Sequence, residues 1–289
     1  MKRAMMVLAL AGFSSFLSHA QFGGILNRAK EKMEGAKQKA KPVSDRAERA
    51  LDNFTPWTPQ EEQEIGEATA AKMIAMFGVL DTPKLVRYVN LVGQAVAQYA
   101  PRQVPYRFGI LDSDIVGAFA LPGGFIFITK TALEGMNDEA QLAGALGHEI
   151  VHVSERHLES AIRSKKNSSW AVEEAKAKTG SVTPEVLRRR ADAFLTEMFN
   201  MRLSRDKEDG ADERGTLMAV QAGYSANGLL EFLRTLAVVQ AKPESQRALG
   251  QLLSTHPPFD ERVNHLAPVV EKSNAGGKTL EARFRSTVK

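Results

Sequence analysis

His148-Glu149-Ile150-Val151-His152 is an HExxH pattern, and the rest of the chain is interpreted around it. Residues four apart lie on one face of a helix, so the two imidazoles can bind one metal ion while Glu149 projects toward a metal-bound water. Apolar residues recur at helical spacing around the pattern, which predicts a helix from about Asn137 to Leu158. This arrangement is typical of zinc-dependent hydrolases.

A catalytic zinc takes three protein ligands and keeps one position open. Further along the chain, Glu208-Asp209-Gly210-Ala211-Asp212 is an acidic segment of the ExxxD type, and Glu208 is the candidate third ligand. Asp212 lies four residues later on the same helix face and can accept the free N–H of a ligand histidine. The alternative for Asp212 is a solvated aspartate on the helix surface. We therefore predict one Zn²⁺ per chain, bound by His148, His152 and Glu208.

Several other motifs follow a consistent order along the chain. They are Glu61-Glu62-Gln63-Glu64-Ile65-Gly66, Tyr88-Val89-Asn90 with Val92-Gly93, Ala118-Phe119-Ala120-Leu121-Pro122-Gly123-Gly124, Arg156-His157 after the HExxH, Ser204-Arg205, Gly215, Ala222-Gly223-Tyr224, and Thr255-His256-Pro257-Pro258 with Arg262. Over roughly residues 58–270 this order resembles the M48 zinc metallopeptidases, in the small soluble form of the bacterial periplasm. The resemblance implies a compact zincin core, proteolytic activity, a protein or peptide substrate and the same three zinc ligands.

The segment from Ala118 to Gly124 has two interpretations. It is either a plain hairpin with a Pro-Gly-Gly turn or the exposed strand along which zincins bind an extended substrate. The resemblance favours the second, with Ala118, Phe119, Ala120, Leu121, Gly123 and Gly124 as substrate-binding residues. The sequence departs from the family at Gly117, where Asn usually stands, so a side-chain amide near the cleft is missing.

The predicted mechanism uses Glu149 as the general base for the zinc-bound water. The oxyanion that forms needs a further donor, worth on the order of 3 kcal/mol, and the candidates are His256, Arg262 and Tyr224. The family motif that matches His256 has a histidine that can approach the metal. His256 could therefore stabilise the transition state, fill the open zinc position as a latch, or be an ordinary surface histidine. His157, with Arg156, is expected to face elsewhere on the helix, and either to support the structure or to contact a metal ligand without binding the metal itself.

The N-terminus predicts export. Lys2 and Arg3 precede an apolar run from Ala4 to Leu17, and Ser18-His19-Ala20 fits a cleavage site, so residues 1–20 are expected to be a signal peptide. The run is too short to span a bilayer comfortably, and no later segment is apolar enough. The chain has no cysteine, which excludes a lipoprotein anchor, disulfides and Cys-containing zinc sites. A soluble periplasmic protein is predicted.

Residues 21–53 form a basic, Ala-rich leader, and the formal net charge of the whole chain is only +4. So small an excess leaves no footprint for nucleic-acid binding. The leader is interpreted as a solvated, partly helical linker. The alternative is a weak contact of residues 22–49 with anionic lipid or an acidic partner, to which the apolar residues at 22–26 would add little.

The predicted class is α+β, with a helix-dominated zincin-like core in one domain over residues 54–272. Thr58 is expected to cap the first helix, and short β-branched and aromatic runs predict a small antiparallel sheet. The three strand predictions are Tyr106–Leu111, Val116–Leu121 and Phe125–Thr129. A variable helical insertion is expected over residues 164–200, with helices at 170–178 and 185–199, and a flexible tail over 273–289.

Two functions remain open from the sequence. The first is an exported zinc endopeptidase that acts on misfolded or incompletely assembled envelope proteins, as the resemblance implies. The second is a chaperone-like or binding factor with a latent, mainly structural zinc that His256 holds closed. The presence of Glu149 favours the enzyme, because a purely structural zinc site needs no general base.

Overall fold

The computed structural model of the chain describes residues 57–164, 183–240, 256–273 and 276–289. The predicted signal peptide, the basic leader and the helix predicted at 170–178 lie outside these residues. Within them the helix-dominated α+β class is confirmed. None of the helices in the described ranges has a stretch long and apolar enough to cross a bilayer.

The first helix of the described chain begins as its capping residue predicts. Helix α1 spans Pro59–Phe77, and the Thr58 side chain accepts a hydrogen bond from the Glu61 N–H while the Glu61 carboxylate accepts one from the Thr58 N–H. Helix α2 spans Pro83–Ala97 and buries one apolar face against the sheet.

The sheet has three strands, β1 (Arg107–Leu111), β2 (Ala118–Leu121) and β3 (Phe125–Thr129), in the order β1-β3-β2. The hairpin of β2 and β3 is antiparallel, and its turn uses Gly123 and Gly124 at positive φ. Strand β1 pairs with β3 in parallel, so the expectation of a wholly antiparallel sheet was wrong. The central strand β3 is buried at every residue, as a strand covered on both faces must be.

The central helix α4 spans Glu139–Ser154, follows the short α3 (Lys130–Glu134), and carries the HExxH pattern. Asp138 caps it by accepting from the Gln141 N–H at 2.9 Å, and all of its residues are buried. The helix ends four residues earlier than predicted. Arg156, at φ 55°, turns the chain in a left-handed conformation, and α5 begins at once as His157–Ser164.

Helix α7 (Arg205–Gln221) crosses α4 at two glycines. A Cβ on Gly147 would lie 2.6 Å from the carbonyl oxygen of Gly215, and a Cβ on Gly215 would lie 2.5 Å from the backbone nitrogen of His148. Both distances are shorter than a real Cβ contact, so neither position accepts a side chain without a shift of backbone. The glycines let the two helices approach closely enough for their functional side chains to meet.

The remaining helices complete the core. They are α6 (Pro184–Phe199), α8 (Asn227–Gln240), α9 (Phe259–Ser273) and α10 (Glu281–Val288). The α6 helix confirms the second helix predicted in the insertion, and it packs with α1 in an apolar cluster that includes Trp57 and Phe194.

The C-terminal segment is not the flexible tail that its composition predicts. It contains α10, whose Phe284 is fully buried in the core. The carbonyl oxygen of Thr279 accepts hydrogen bonds from the N–H groups of Glu139 and Ala140 at 3.0 and 3.2 Å. The segment therefore satisfies free N–H groups at the start of α4.

Candidate metal centre and active site

The predicted zinc ligands converge between α4 and α7. The Nε2 atoms of His148 and His152 are 2.9 Å apart, because the two rings leave the same helix face one turn apart. The Glu208 carboxylate approaches from α7, with Oε1 3.6 Å from His152 Nε2 and Oε2 3.8 Å from His148 Nε2. With His256, one ligand atom from each of the four residues lies within 4.8 Å of the others.

The chemistry of this cluster fits a divalent cation. Glu208 is fully buried, and no described residue gives its Oε1 atom a hydrogen bond. A buried carboxylate oxygen without a partner is costly unless a cation satisfies it. Burial raises the pKa of Glu208, but the three nearby imidazoles outweigh it and hold the pKa well below the usual range. Two imidazoles and one carboxylate form a set that suits zinc.

The other ring nitrogen of His148 is held by a buried carboxylate. Its Nδ1 donates to Asp212 Oδ1 at 2.7 Å, and Asp212 is fully buried one turn after Glu208. Burial raises the pKa of Asp212, but Arg262 and His148 lower it well below its ordinary value. Asp212 thus stays ionised and fixes the His148 tautomer that leaves Nε2 free for a metal.

Arg262 is engaged by this carboxylate. Its Nε and Nη2 donate to the two oxygens of Asp212 at 2.9 and 2.6 Å, and Arg262 itself is buried. Nη2 is also 3.3 Å from His148 Nδ1. Although Arg262 lines the cleft, these contacts favour a role in holding Asp212 over the predicted role as an oxyanion donor.

Tyr224 does not take part in the site. Its hydroxyl donates to Glu139 Oε1 at 2.7 Å, in the first turn of α4. Glu139 lies roughly 14 Å along the helix axis from His148. The suggestion that Tyr224 is an oxyanion donor was therefore wrong, because the side chain belongs to the cluster that fixes the other end of α4.

Glu149 lies beside the candidate ligands and faces the cleft. The residue is 5% exposed, and it lines the cavities on both sides of the ligand cluster. Burial raises the pKa of Glu149, and the lowering influence of His148 and His256 does not cancel it. A carboxylate with a raised pKa is better matched to proton transfer near neutral pH than an exposed one.

His256 approaches the cluster from the start of the α9 segment. Its Nδ1 lies 2.5 Å from Glu208 Oε2, and its side chain is 12% exposed. The ring centroid is 5.7 Å from that of His148 and 6.2 Å from that of His152. The interpretation as an ordinary surface histidine is therefore disfavoured, whereas a latch and a transition-state donor both agree with this position.

Strand β2 is an edge strand of the described sheet and runs along the cleft. Of the predicted substrate-binding residues, Ala118, Phe119 and Ala120 line the cavities next to Glu149. The other three residues, Leu121, Gly123 and Gly124, do not line these two cavities. Leu121 is 1% exposed, the Gly123 N–H donates to Glu62 Oε1 at 3.2 Å, and a Cβ on Gly124 would lie 2.8 Å from the Pro105 carbonyl oxygen.

Gly117, where the family usually has Asn, is bound to β3 through its backbone. Its carbonyl accepts from the Thr129 N–H at 2.9 Å, and its N–H donates to Thr129 Oγ1 at 3.2 Å. A Cβ there would lie 3.4 Å from the Phe119 ring, which is an ordinary contact. The backbone is thus positioned without a side-chain amide.

Two apolar cavities of about 440 and 420 Å³, open solvent included, flank Glu149. No motif in the sequence marks the residues of α8, or those that follow α6, as walls of these cavities. The first cavity is lined by Val116, Ile128, Ala132, Met136, Ala145, Leu229, Phe232, Leu233 and Leu236. The second is lined by Phe119, Leu158, Met198, Phe199, Met201 and Leu203.

His157 contacts a candidate ligand histidine, which is the second of the two roles expected for it. Because α4 ends at Ser154 and the chain turns at Arg156, the His157 ring folds back toward α4. Its Nδ1 is 2.9 Å from His152 Nδ1. Helical extrapolation from His152 missed this contact, since the helix does not continue through His157.

Comparison with known proteins agrees with this geometry. The model of the family described as "Peptidase family M48" matches residues 82–270. The chain is 24% identical over 236 residues to the beta-barrel assembly-enhancing protease of Escherichia coli (strain K12), which covers 77% of this chain and 48% of that protein. It thus spans about half the length of this relative.

Two other relatives are metalloproteases by name. The chain is 26% identical over 165 residues to metalloprotease YcaL of Escherichia coli (strain K12), covering 56% of this chain and 61% of that protein. It is 27% identical over 176 residues to the mitochondrial metalloendopeptidase OMA1 of Homo sapiens, covering 59% of this chain and 33% of that protein.

Proposed function

The chain belongs to peptidase family M48, and on that premise we propose that it is a zinc-dependent endopeptidase. The observation that carries the proposal is the buried cluster of His148, His152 and Glu208, with Glu149 beside it on the cleft. A purely structural metal site needs no general base, whereas Glu149 lines both cavities of the cleft.

The proposed ligands are His148 and His152 through Nε2 and Glu208 through its carboxylate. When bound, zinc supplies a water of lowered pKa and polarises the substrate carbonyl. Glu149 accepts the proton of the attacking water and returns it to the leaving amine. Asp212 and Arg262 hold His148 in the orientation that this chemistry requires.

The cleft suits an extended polypeptide. The edge of β2 that pairs with no described strand offers backbone groups for a substrate strand, with Ala118, Phe119 and Ala120 beside Glu149 in the cavity lining. The walls of both flanking cavities are largely apolar, which favours substrates with apolar side chains on each side of the cleaved bond. Folded proteins bury such segments, so we propose unfolded or unassembled proteins as the substrate class.

The location of the activity is also a proposal. The cationic start, the apolar run and the small-residue site within residues 1–20 support export to the periplasm. The likeness to a relative named beta-barrel assembly-enhancing protease then supports a role in quality control of envelope proteins.

A second candidate function is a binding factor whose zinc is mainly structural. The observation that favours it is the contact of His256 with Glu208, which places a fourth potential ligand at the cluster. In that case the cleft would bind polypeptide and release it uncut.

The test measures zinc content and casein digestion in protein purified without its signal peptide. We expect about one zinc per chain, digestion that a chelator abolishes, and recovery on addition of zinc. Glu208→Gln should lower zinc occupancy, whereas the matched control Glu213→Gln, on the same helix but paired with His265, should not. Full zinc in Glu208→Gln would remove Glu208 as a ligand, and bound zinc without any digestion would favour the binding factor.

A further inference from the structure

The two candidate histidine ligands are held in different ways. His148 donates its Nδ1–H to a carboxylate, that of Asp212. His152 has another imidazole in the corresponding place, because its Nδ1 lies 2.9 Å from Nδ1 of His157. Ligand histidines usually donate this proton to a carboxylate, a backbone carbonyl or a water, so the second imidazole needs an explanation.

The surroundings of His157 determine which ring carries the proton. Two ring nitrogens at hydrogen-bonding distance share a single hydrogen, so one Nδ1 donates and the other accepts. The Nε2 of His157 is 3.1 Å from Oε2 of Glu155, and a carboxylate oxygen can only accept. His157 therefore carries its hydrogen on Nε2, and its Nδ1 is free to accept from His152.

This assignment fixes the tautomer of His152. With its hydrogen on Nδ1, His152 presents a bare Nε2 to Glu208 Oε1 and His148 Nε2. Asp212 fixes the tautomer of His148 by direct contact. Glu155 fixes the tautomer of His152 through an intervening imidazole, that of His157.

We propose that His157 is a positioning residue for the metal centre, which orients His152 and fixes the tautomer in which Nε2 binds the metal. The inference rests on the proposed function, because it assigns the residue to the same zinc site. It adds His157 and Glu155 to the groups that determine how tightly the metal is held.

The fold holds His157 firmly in this place. The left-handed turn at Arg156 brings the ring back over α4, and His157 is 5% exposed. Glu155 is fixed in turn by Arg214, whose Nη2 donates to Glu155 Oε2 at 2.8 Å and whose Nε lies 2.6 Å from Glu155 Oε1. Arg214 lies on α7, the helix that supplies Glu208. The same helix therefore provides one candidate ligand and, through Arg214 and Glu155, supports the segment that orients His152.

Two substitutions separate hydrogen bonding from packing. His157→Asn can place its side-chain oxygen where Nδ1 lies and still accept from His152. His157→Leu has a similar size and cannot accept. We would measure zinc affinity of the full mature chain by competition with a chromophoric chelator, and the visible absorption spectrum of the Co²⁺-substituted protein.

We expect His157→Leu to bind zinc about 10- to 100-fold more weakly than the unmodified protein and to alter the Co²⁺ spectrum. His157→Asn should retain most of the zinc affinity and a Co²⁺ spectrum close to that of the unmodified protein. The control His265→Leu removes a histidine that pairs with Glu213 on the surface of α7, and should change neither. Thermal unfolding of the metal-free proteins checks that the variants fold.

Equal zinc affinity in His157→Leu and the unmodified protein would overturn the proposal. So would equal losses in the Leu and Asn variants, since packing would then explain the effect. If His157→Leu fails to fold, Glu155→Met tests the proposal instead. It removes the acceptor that keeps the His157 hydrogen on Nε2, so the proposal requires that zinc binding becomes weaker. An unmodified protein that binds no zinc would instead overturn the proposed function.

Discussion

Nδ1 of His256 lies 2.5 Å from Oε2 of Glu208, within the group of side chains that can bind the metal. An imidazole in this place can occupy the position that the catalytic water needs. It also contacts Glu208, a proposed metal ligand, so any movement of the His256 segment changes the surroundings of that carboxylate.

The first prediction concerns this contact. Removing an imidazole that competes with the catalytic water should free the open position, so His256→Ala is expected to raise basal casein digestion several-fold at unchanged zinc content. The control His265→Ala lies on α9, the helix that follows His256, with a side chain that is 37% exposed, and should leave digestion unchanged. A loss of about 10²-fold in kcat/KM would contradict the latch and assign His256 to the oxyanion instead.

The second prediction concerns the C-terminal segment. Arg283 on α10 donates from Nε to Oε2 of the fully buried Glu139 at 2.6 Å, and its Nη2 contacts Oε1. Arg283→Met leaves this carboxylate with the hydroxyls of Tyr88 and Tyr224 as donors and with no cation from the described residues. We expect the free energy of unfolding, measured by urea titration, to fall by about 1–3 kcal/mol.

Arg285→Met is the matched control for Arg283. Arg285 lies on the same helix, and its side chain is 57% exposed in a surface pair with Glu281. Its replacement should change the free energy of unfolding by less than about 0.5 kcal/mol. If both substitutions lowered the free energy of unfolding equally, α10 would not stabilise the fold through the pair of Arg283 with Glu139.

The third prediction is a pH dependence. Burial raises the pKa of Glu62, but Arg102, the Gly123 amide and Arg156 outweigh it, so the pKa lies below the ordinary value of 4.5. A lowered folded-state pKa means that Glu62 stabilises the fold fully above pH 4.5 and loses this contribution as the pH falls through that pKa.

Glu62→Gln should therefore destabilise the fold by about 1–3 kcal/mol at neutral pH, and by progressively less in acid. The measurement is the free energy of unfolding of both proteins between neutral pH and the acid range. Glu64→Gln, at a partly exposed position of α1 where the carboxylate contacts only Gln60 among the described residues, serves as the control. If the difference in free energy of unfolding between Glu62→Gln and the unmodified protein stayed constant with pH, the lowered pKa of Glu62 in the folded state would be contradicted.

The fourth prediction tests the helix crossing. In Gly215→Ala the new Cβ would lie 2.5 Å from the backbone nitrogen of His148, so α7 must move away from α4. Glu208 moves with α7, and we expect both zinc affinity and stability to fall. Gly276→Ala has open space around its Cβ and should change neither. Unaltered zinc affinity in Gly215→Ala would show that the crossing does not determine the ligand geometry.

Local patterns in the sequence predicted most elements of the described fold. The Thr58 cap, the three strands and the helix that carries HExxH all depend on residues close together in the chain. The parallel pairing of β1 with β3 could not be predicted from such local patterns, because strand direction depends on the path of the chain between the two strands. The α10 helix was missed since only Phe284 among its residues is fully buried.

The same distinction applies to the site. Helical spacing alone places His148 and His152 together, and Asp212 one turn after Glu208. The contact of His157 with His152 depends on a single left-handed residue, Arg156, which the sequence does not signal. Nor does the sequence show that Arg262 is bound to Asp212, because that pairing joins α9 to α7.

We propose that Glu149 activates water at a zinc bound by His148, His152 and Glu208. The decisive measurement is the initial rate of casein cleavage by zinc-loaded Glu149→Gln, compared with the unmodified protein at equal zinc content. Gln preserves the shape of the side chain and cannot accept the proton, so the rate should fall by at least about 10²-fold while folding and zinc binding persist. Cleavage at the rate of the unmodified protein would show that Glu149 is not the general base.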